Sequence, residues 1–175
     1  DLAAAQRHFK YVILRYFNVA GASLKFPVGQ LSPQASHLIK VCSECAVGKR
    51  DHIQVFGSDY PTADGTCVRD YIHVDDLAYA HKLALDYLVS ENTSQILNCG
   101  YEKGSSVLEV VRAFEKVSGK KIKTILSSRR AGDAIQVVAS AKKIRSLLGW
   151  APQYNNLELI CDSSYKWELS LNKDQ

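Results

Sequence analysis

Apolar positions fall into two rhythms along this chain. Short, nearly continuous runs of β-favouring residues read as strands, and longer stretches with a helical repeat read as helices. Residues 11–17, Tyr-Val-Ile-Leu-Arg-Tyr-Phe, form one such run, suited to a strand buried on both faces of a parallel sheet. Further extended runs are predicted at 53–56, closed by Gly57, at 67–73 and at 94–99, with an alternating strand at 122–126. Helical spacing appears at 36–48, where Leu38, Val41, Cys42 and Cys45 share a stripe and Gly48 supplies a stop. Asp75 and Asp76 offer an N-cap to a helix through Leu77, Ala80, Leu83, Ala84, Tyr87 and Leu88. Ser106 and Glu109 have the spacing of a capping box, opening a helix with Val110, Val111, Phe114 and Val117 inward and Gly119 at its end. Two more helices are expected at 141–148, capped by Ser140, and at 157–169. Residues 1–10 read as the tail of a helix, and residues 23–35, without periodicity, as loop. The pattern is mixed α/β with short connections and no internal repeat.

At 175 residues the chain is long enough for one domain with a real core. The net charge of +4 is mild and its basic residues are interleaved with acids, which gives no electrostatic footprint for nucleic acid. No apolar stretch approaches the roughly 20 residues of a membrane span, and the first ten residues lack a signal-peptide layout. Five cysteines, an odd number, argue against a disulfide framework and for a reducing compartment, so a cytoplasmic protein is expected. Cys42 and Cys45 make a C-x-x-C, but no second pair completes a zinc site. They read as two small helix-borne thiols, core-facing or partly exposed. The five histidines are scattered without metal-ligand spacing.

Candidate chemistry gathers where elements end. Tyr16, Phe17 and Asn18 stand just past a predicted strand, where ligands of open α/β sheets bind. They equally suit plain core packing and a turn. Arg69 lies in an extended run, and Arg130 lies in a loop after a strand. A guanidinium presents a fork of donors suited to phosphate oxygens, and two converging forks would hold a pyrophosphate. Either arginine taken alone is also an ordinary surface or salt-bridge residue. Phe56, at a strand edge, could face a planar base or pack the core.

The stretch YPT-x-DGT-x-VRDYIHV-x-DLA-x-AH, from Tyr60 to His81, resembles the signature of UDP-glucose 4-epimerases, in the extended short-chain dehydrogenase/reductase superfamily. The resemblance runs from LRYFNVAGA near the start to RRAGD and LGWAPQY near the end, and covers about the C-terminal half of such an enzyme. It implies the last part of an NAD-binding Rossmann-type fold, residues 1–22, and a smaller mixed α/β UDP-sugar-binding domain over 23–175. Residues 66–100 or so would return to the Rossmann sheet. It further implies that Tyr16 and Phe17 line the nicotinamide of NAD, and that Asn18 lies beside the phosphates and hexose. By the same resemblance His37 and Leu38 contact the nucleotide-sugar, Gln54, Val55 and Phe56 line the uracil, Arg69 and Arg130 clamp the phosphates, Asp133 bonds the ribose, and Val137 tunes sugar size. The partner implied is a UDP-sugar, with the whole enzyme a homodimer.

Three departures stand out: Lys40 replaces a usual proline, which loosens the expected helix start, Ala134 replaces another, and Ser140 replaces a usual aspartate. The family's chemistry uses a Tyr-x-x-x-Lys pair. None of the nine tyrosines is followed four residues later by lysine, and no glycine-rich NAD loop is present. On this reading the chain supplies the UDP-sugar site of an epimerase and does not turn over substrate by itself. A stand-alone nucleotide-binding fragment without catalysis and a UDP-pentose 4-epimerase remain as alternatives.

Overall fold

A computed structural model describes residues 9–173. Its strands are short and pair in small groups. β1 (Val12–Arg15) runs parallel to β6 (Gln95–Asn98), with Ile13 opposite Ile96 and Leu14 opposite Leu97. β2 (Asn18–Ala20) runs parallel to β5 (Tyr71–His73), and β3 (Ile53–Phe56) to β8 (Thr124–Ser127). β4 (Val68–Arg69) lies between β7 (Ser105–Ser106), antiparallel to it, and β9 (Gln136–Val137), parallel to it. The helices are α1 (Leu38–Ala46), α2 (Val74–Glu91), α3 (Val107–Ser118), α4 (Lys142–Leu148) and α5 (Leu157–Lys173). α1, α3 and α5 pack on one another, while α2 lies on β1 and α4 on β6. The predicted mixed α/β class with parallel strands is what the chain adopts.

Two expected strands are each broken in the middle. The run at 11–17 ends at Arg15, and the chain re-enters a strand at Asn18 because its partner changes from β6 to β5. The run at 67–73 breaks at Asp70, whose carboxylate turns inward to accept from the backbone N–H groups of Tyr101, Glu102 and Ala139. The expected helix tail lies outside the described residues for positions 1–8, and Phe9 and Lys10 have no regular structure.

Helix ends follow sequence chemistry in part. The capping box of Ser106 and Glu109 is formed, and Gly119 closes α3 at φ 66°, a left-handed conformation that costs glycine little. α2 is not capped by Asp75 or Asp76. His73 is its N-cap, its Nδ1 accepting from the Asp75 backbone N–H at 3.1 Å, and the two aspartates occupy the first turn, where negative charge suits the helix dipole. α4 is not capped by Ser140 either. The Glu102 carboxylate reaches across to accept from the Ala141 N–H at 3.1 Å and pairs with Arg145.

The core contains Trp150, Phe114, Ile53, Ile72, Leu97, Ile144 and Ile160, all essentially inaccessible. Asp76 is buried among them and kept paired, as a buried charge must be. Its carboxylate accepts from Tyr101 Oη at 2.5 Å and from the N–H groups of Gln153 and Tyr154. Lys40 does not loosen α1. It is buried, donates to the carbonyl of Gln30 at 3.2 Å and pairs with Glu168 at 2.5 Å, which Lys49 also reaches. Trp167 donates to the same carbonyl, so the irregular segment 21–37 is fastened to α1 and α5 together. Cys42 is buried and Cys45 half-buried, and the cysteines are free thiols. Among the described residues no helix is long and apolar enough to cross a membrane.

Candidate functional site

Between the start of α1, the exposed side of β3 and the turn before β9 lies a cleft of about 720 Å³. The period of a strand decides what β3 shows it. Ile53 and Val55 are buried, whereas Gln54 and Phe56 alternate outward. Gln54 and Phe56 line the cleft; the side chain of Val55 points into the core, so anything it offers a ligand is confined to its main chain.

Opposite, β4 and the turn at 130–133 bring three charged groups to the same wall. Arg69 is half-buried, donating to its neighbour Val68's carbonyl at 2.8 Å and to Asp133 Oδ1 at 2.8 Å. Gly132, at φ 79°, makes the turn that lets Asp133 approach, and the Asp133 N–H donates to the Arg130 carbonyl. The Arg130 guanidinium lies over the Phe56 ring, 3.7 Å from its centroid, with no carboxylate partner among the described residues. It is a permanent cation with donors to spare, held by an aromatic face.

The third wall is the segment leading into α1. His37 and Leu38 line the cleft, and the His37 ring is held by Gln30 Nε2 at 3.1 Å from Nδ1. α1 begins here with no side-chain cap and no acid in its first turn. Its leading N–H groups are therefore available to an anion. At the base, Asn18 directs both its backbone N–H and its Nδ2 to the carbonyl of Asp70, at 3.3 Å each, leaving Oδ1 without a protein donor among the described residues.

The structure thus gathers Asn18, His37, Leu38, Gln54, Phe56, Arg69, Arg130 and Asp133 around one cavity. Tyr16 and Phe17 are not in it: both are exposed, and Tyr16 meets His81 edge-on. Val137 stands behind Arg69 as its register partner in β4 and β9. Several lining residues were not singled out from the sequence. Tyr71 lies two positions after Arg69, a period-two signal that could have found it. Cys67 lies two before, its thiol pushed up by burial despite the Arg69 charge. Arg50 carries no comparable signal; it reaches the lip from the loop before β3, bonding Glu44 and the Ala35 carbonyl. Among the described residues no three His, Cys, Asp or Glu side chains cluster as a metal site would require.

Residues 2–100 match the sequence profile of the NAD dependent epimerase/dehydratase family. The chain belongs to that family. Within it, the chain is 50% identical over 171 residues to the UDP-glucose 4-epimerase of Azospirillum brasilense, spanning 98% of this chain and 49% of that protein. The UDP-glucose 4-epimerase from Stenotrophomonas maltophila, solved with bound NAD and formylated UDP-arabinopyranose, superposes with a TM-score of 0.94 at 39% identity, over 100% of this chain and 52% of that one. The UDP-Glc/GlcNAc 4-epimerase from Campylobacter jejuni is 53% identical with a TM-score of 0.79, over 96% of this chain and 51% of that one. This family member spans about half the length of the relatives it matches.

Proposed function

We propose that this chain forms the UDP-sugar site of an NAD-dependent UDP-glucose 4-epimerase. The observation that carries the reading is the cleft itself, where Arg130, Arg69 and the uncapped start of α1 face one cavity with Phe56 and Gln54 beside them. In this reading Arg130 leaves the Phe56 face to bind a phosphate oxygen, and the uracil takes the edge of β3. Arg69 swings from or shares Asp133, freeing that carboxylate for ribose hydroxyls. Asn18 Oδ1 accepts from a hexose hydroxyl, and His37 serves the phosphates or hexose.

Tyr16 and Phe17, exposed at the end of β1, would line the nicotinamide of an NAD held mainly by residues outside this chain. β1, β6 and α2 then belong to a Rossmann sheet and the remainder to a sugar-nucleotide domain. The uncovered face of the β1–β6 pair supports that division. NAD, when bound, would accept and return the hydride at sugar carbon 4. This chain holds no Tyr-x-x-x-Lys pair to move the 4-hydroxyl proton, so it binds but does not epimerise unaided. The UDP-arabinopyranose complex of a similar enzyme, and the GlcNAc activity named for another, leave pentose and larger sugars as alternative substrates.

Calorimetric titration with UDP tests the reading. Binding is expected, and Arg130→Ala should weaken it by about ten- to a hundredfold, since a hydrogen bond to a charged group contributes roughly 1.5–3 kcal/mol. The melting temperature should move little, because Arg130 has no carboxylate partner among the described residues and loses only its contact with the Phe56 ring. A chain that does not bind UDP, or a variant with unchanged affinity, would overturn it.

A further inference from the structure

Asp70 lies between the cleft-lining Arg69 and Tyr71, yet its own side chain points the other way and is 1% exposed. Its carboxylate accepts from Tyr101 N–H at 3.0 and 3.1 Å, Glu102 N–H at 3.3 Å and Ala139 N–H at 3.2 Å. These donors come from two segments, the chain leaving β6 and the chain leaving β9. Asp70's main chain is equally engaged. Its N–H donates to the Val137 carbonyl at 3.1 Å, and its carbonyl receives both donors of Asn18. One residue therefore fixes β2, β4, β5, β6 and β9 relative to one another. The fit is tight on the far side, where a Cβ on Gly100 would stand 2.5 Å from Asp70 Oδ2. Neutral backbone donors, not a cation, satisfy this buried charge. Burial raises its pKa, and the hydrogen bonds oppose that rise.

We propose that Asp70 is a positioning residue for diphosphate recognition, its buried carboxylate setting where Arg69 and Asn18 meet the ligand. The inference rests on the reading of the cleft as a UDP-sugar site. It goes further in separating two parts of that site mechanically. Among the described residues β3, with Gln54 and Phe56, pairs only with β8 and has no bond to Asp70. Arg69 and Asn18 are tied to it directly. A disturbance at Asp70 should therefore fall on the phosphate end and spare the base end.

The test is a pair of titrations on the intact chain, with UDP and with uridine, for the native protein, Asp70→Asn and Gly100→Ala. Asp70→Asn keeps the shape but turns an amide towards N–H groups. Gly100→Ala keeps every charge and sets a methyl group against both Asp70 Oδ2 and the Ala139 side chain, displacing the carboxylate from behind, so it stands in should Asp70→Asn fail to fold. Both are measured well below their own melting temperatures. The expected result is UDP affinity lower by about tenfold or more and uridine affinity changed by less than about threefold. Parallel loss of both ligands marks Asp70 as structural only and overturns the proposal, as does unchanged UDP affinity in a variant that folds. Failure of the native chain to bind UDP is a different outcome, which removes the site reading itself and this inference with it.

Discussion

The walls of the cleft and the β1–β6 strand pair are built from similar residues and end in different states. Around the cleft, the inward residues of β3, Ile53 and Val55, are buried and β3 packs against α1, while its outward positions face a cavity lined by the Arg69–Asp133 pair and by Arg130. The β1–β6 pair has one sealed face, with Leu14 packed on the core and Leu97 fully buried, and one open face. On that open face Ile13 and Ile96 stand opposite each other, 44% and 40% exposed. Parallel strands are normally covered on both sides, and two strands alone are marginal. Among the described residues, then, one region has its inward side chains covered, and the other has an interior strand's sequence without an interior strand's cover.

Adjacent residues of β6 provide the sharpest way to break that contrast. Leu97→Ala should cost about 2–5 kcal/mol, the range for a buried large-to-small change. Ile96→Ala, one position on and facing the other way, should cost about 1 kcal/mol or less. Urea unfolding of the two variants measures both. Equal losses would mean that the outer face is already covered, and the two regions would then differ in nothing but residue names.

The same contrast explains what the sequence could and could not disclose. The run at 11–17 announces β1, but the burial on both faces that its residue types suit is found on one face alone, and the strand stops at Arg15. Whether the cover is present is not a property of that run. The cleft's charged residues were legible through local motifs: Arg69, Arg130 and Asp133, singled out by them, line one wall. Their mutual arrangement was not legible. Arg69 bonding Asp133, and Arg130 stacking on Phe56, depend on how segments more than sixty residues apart come together. Val55 and Phe56 are neighbours with opposite directions, which only the phase of β3 decides.

His73 sits between the start of α2, which packs on β1, and α5, which packs on α1, so pH gives a second test of how these elements are joined. It is wholly buried, caps α2, and lies 3.4 Å from Ser163 of α5, with the Tyr154 ring beside it. The charged groups facing it are Asp75, whose carboxylate is 4.0 Å from Nδ1, and Asp76. Burial lowers its pKa below the ordinary 6.5, and those two carboxylates only partly oppose this. The unfolded chain therefore binds the proton more readily than the folded one, and stability is lost as pH falls through the unfolded value. Protonation would also remove the Nδ1 acceptor on which the α2 cap depends. The melting temperature should drop between about pH 7.5 and 5.5, and His73→Gln should flatten that slope. An unchanged slope in the variant would assign the titration to another group.

The smallest effect expected concerns the start of α4, which packs against β6. By sequence its cap is Ser140, the residue before the expected start at 141, whereas the helix begins at Lys142 with Ala141 at the N-cap position. By geometry the acceptor is Glu102, brought from the loop after β6, whose Oε1 takes the Ala141 N–H while Oε2 holds Arg145. Local chemistry named a plausible cap, and tertiary structure supplied a stronger one, a carboxylate at a helix N-terminus where the dipole favours it. Glu102→Ala should therefore destabilise by about 1 kcal/mol and Ser140→Ala by only a few tenths, read from denaturation midpoints at constant slope. The opposite order would restore the local cap. It would also detach α4 from the loop that Asp70 organises, since Glu102 donates its own N–H to that carboxylate.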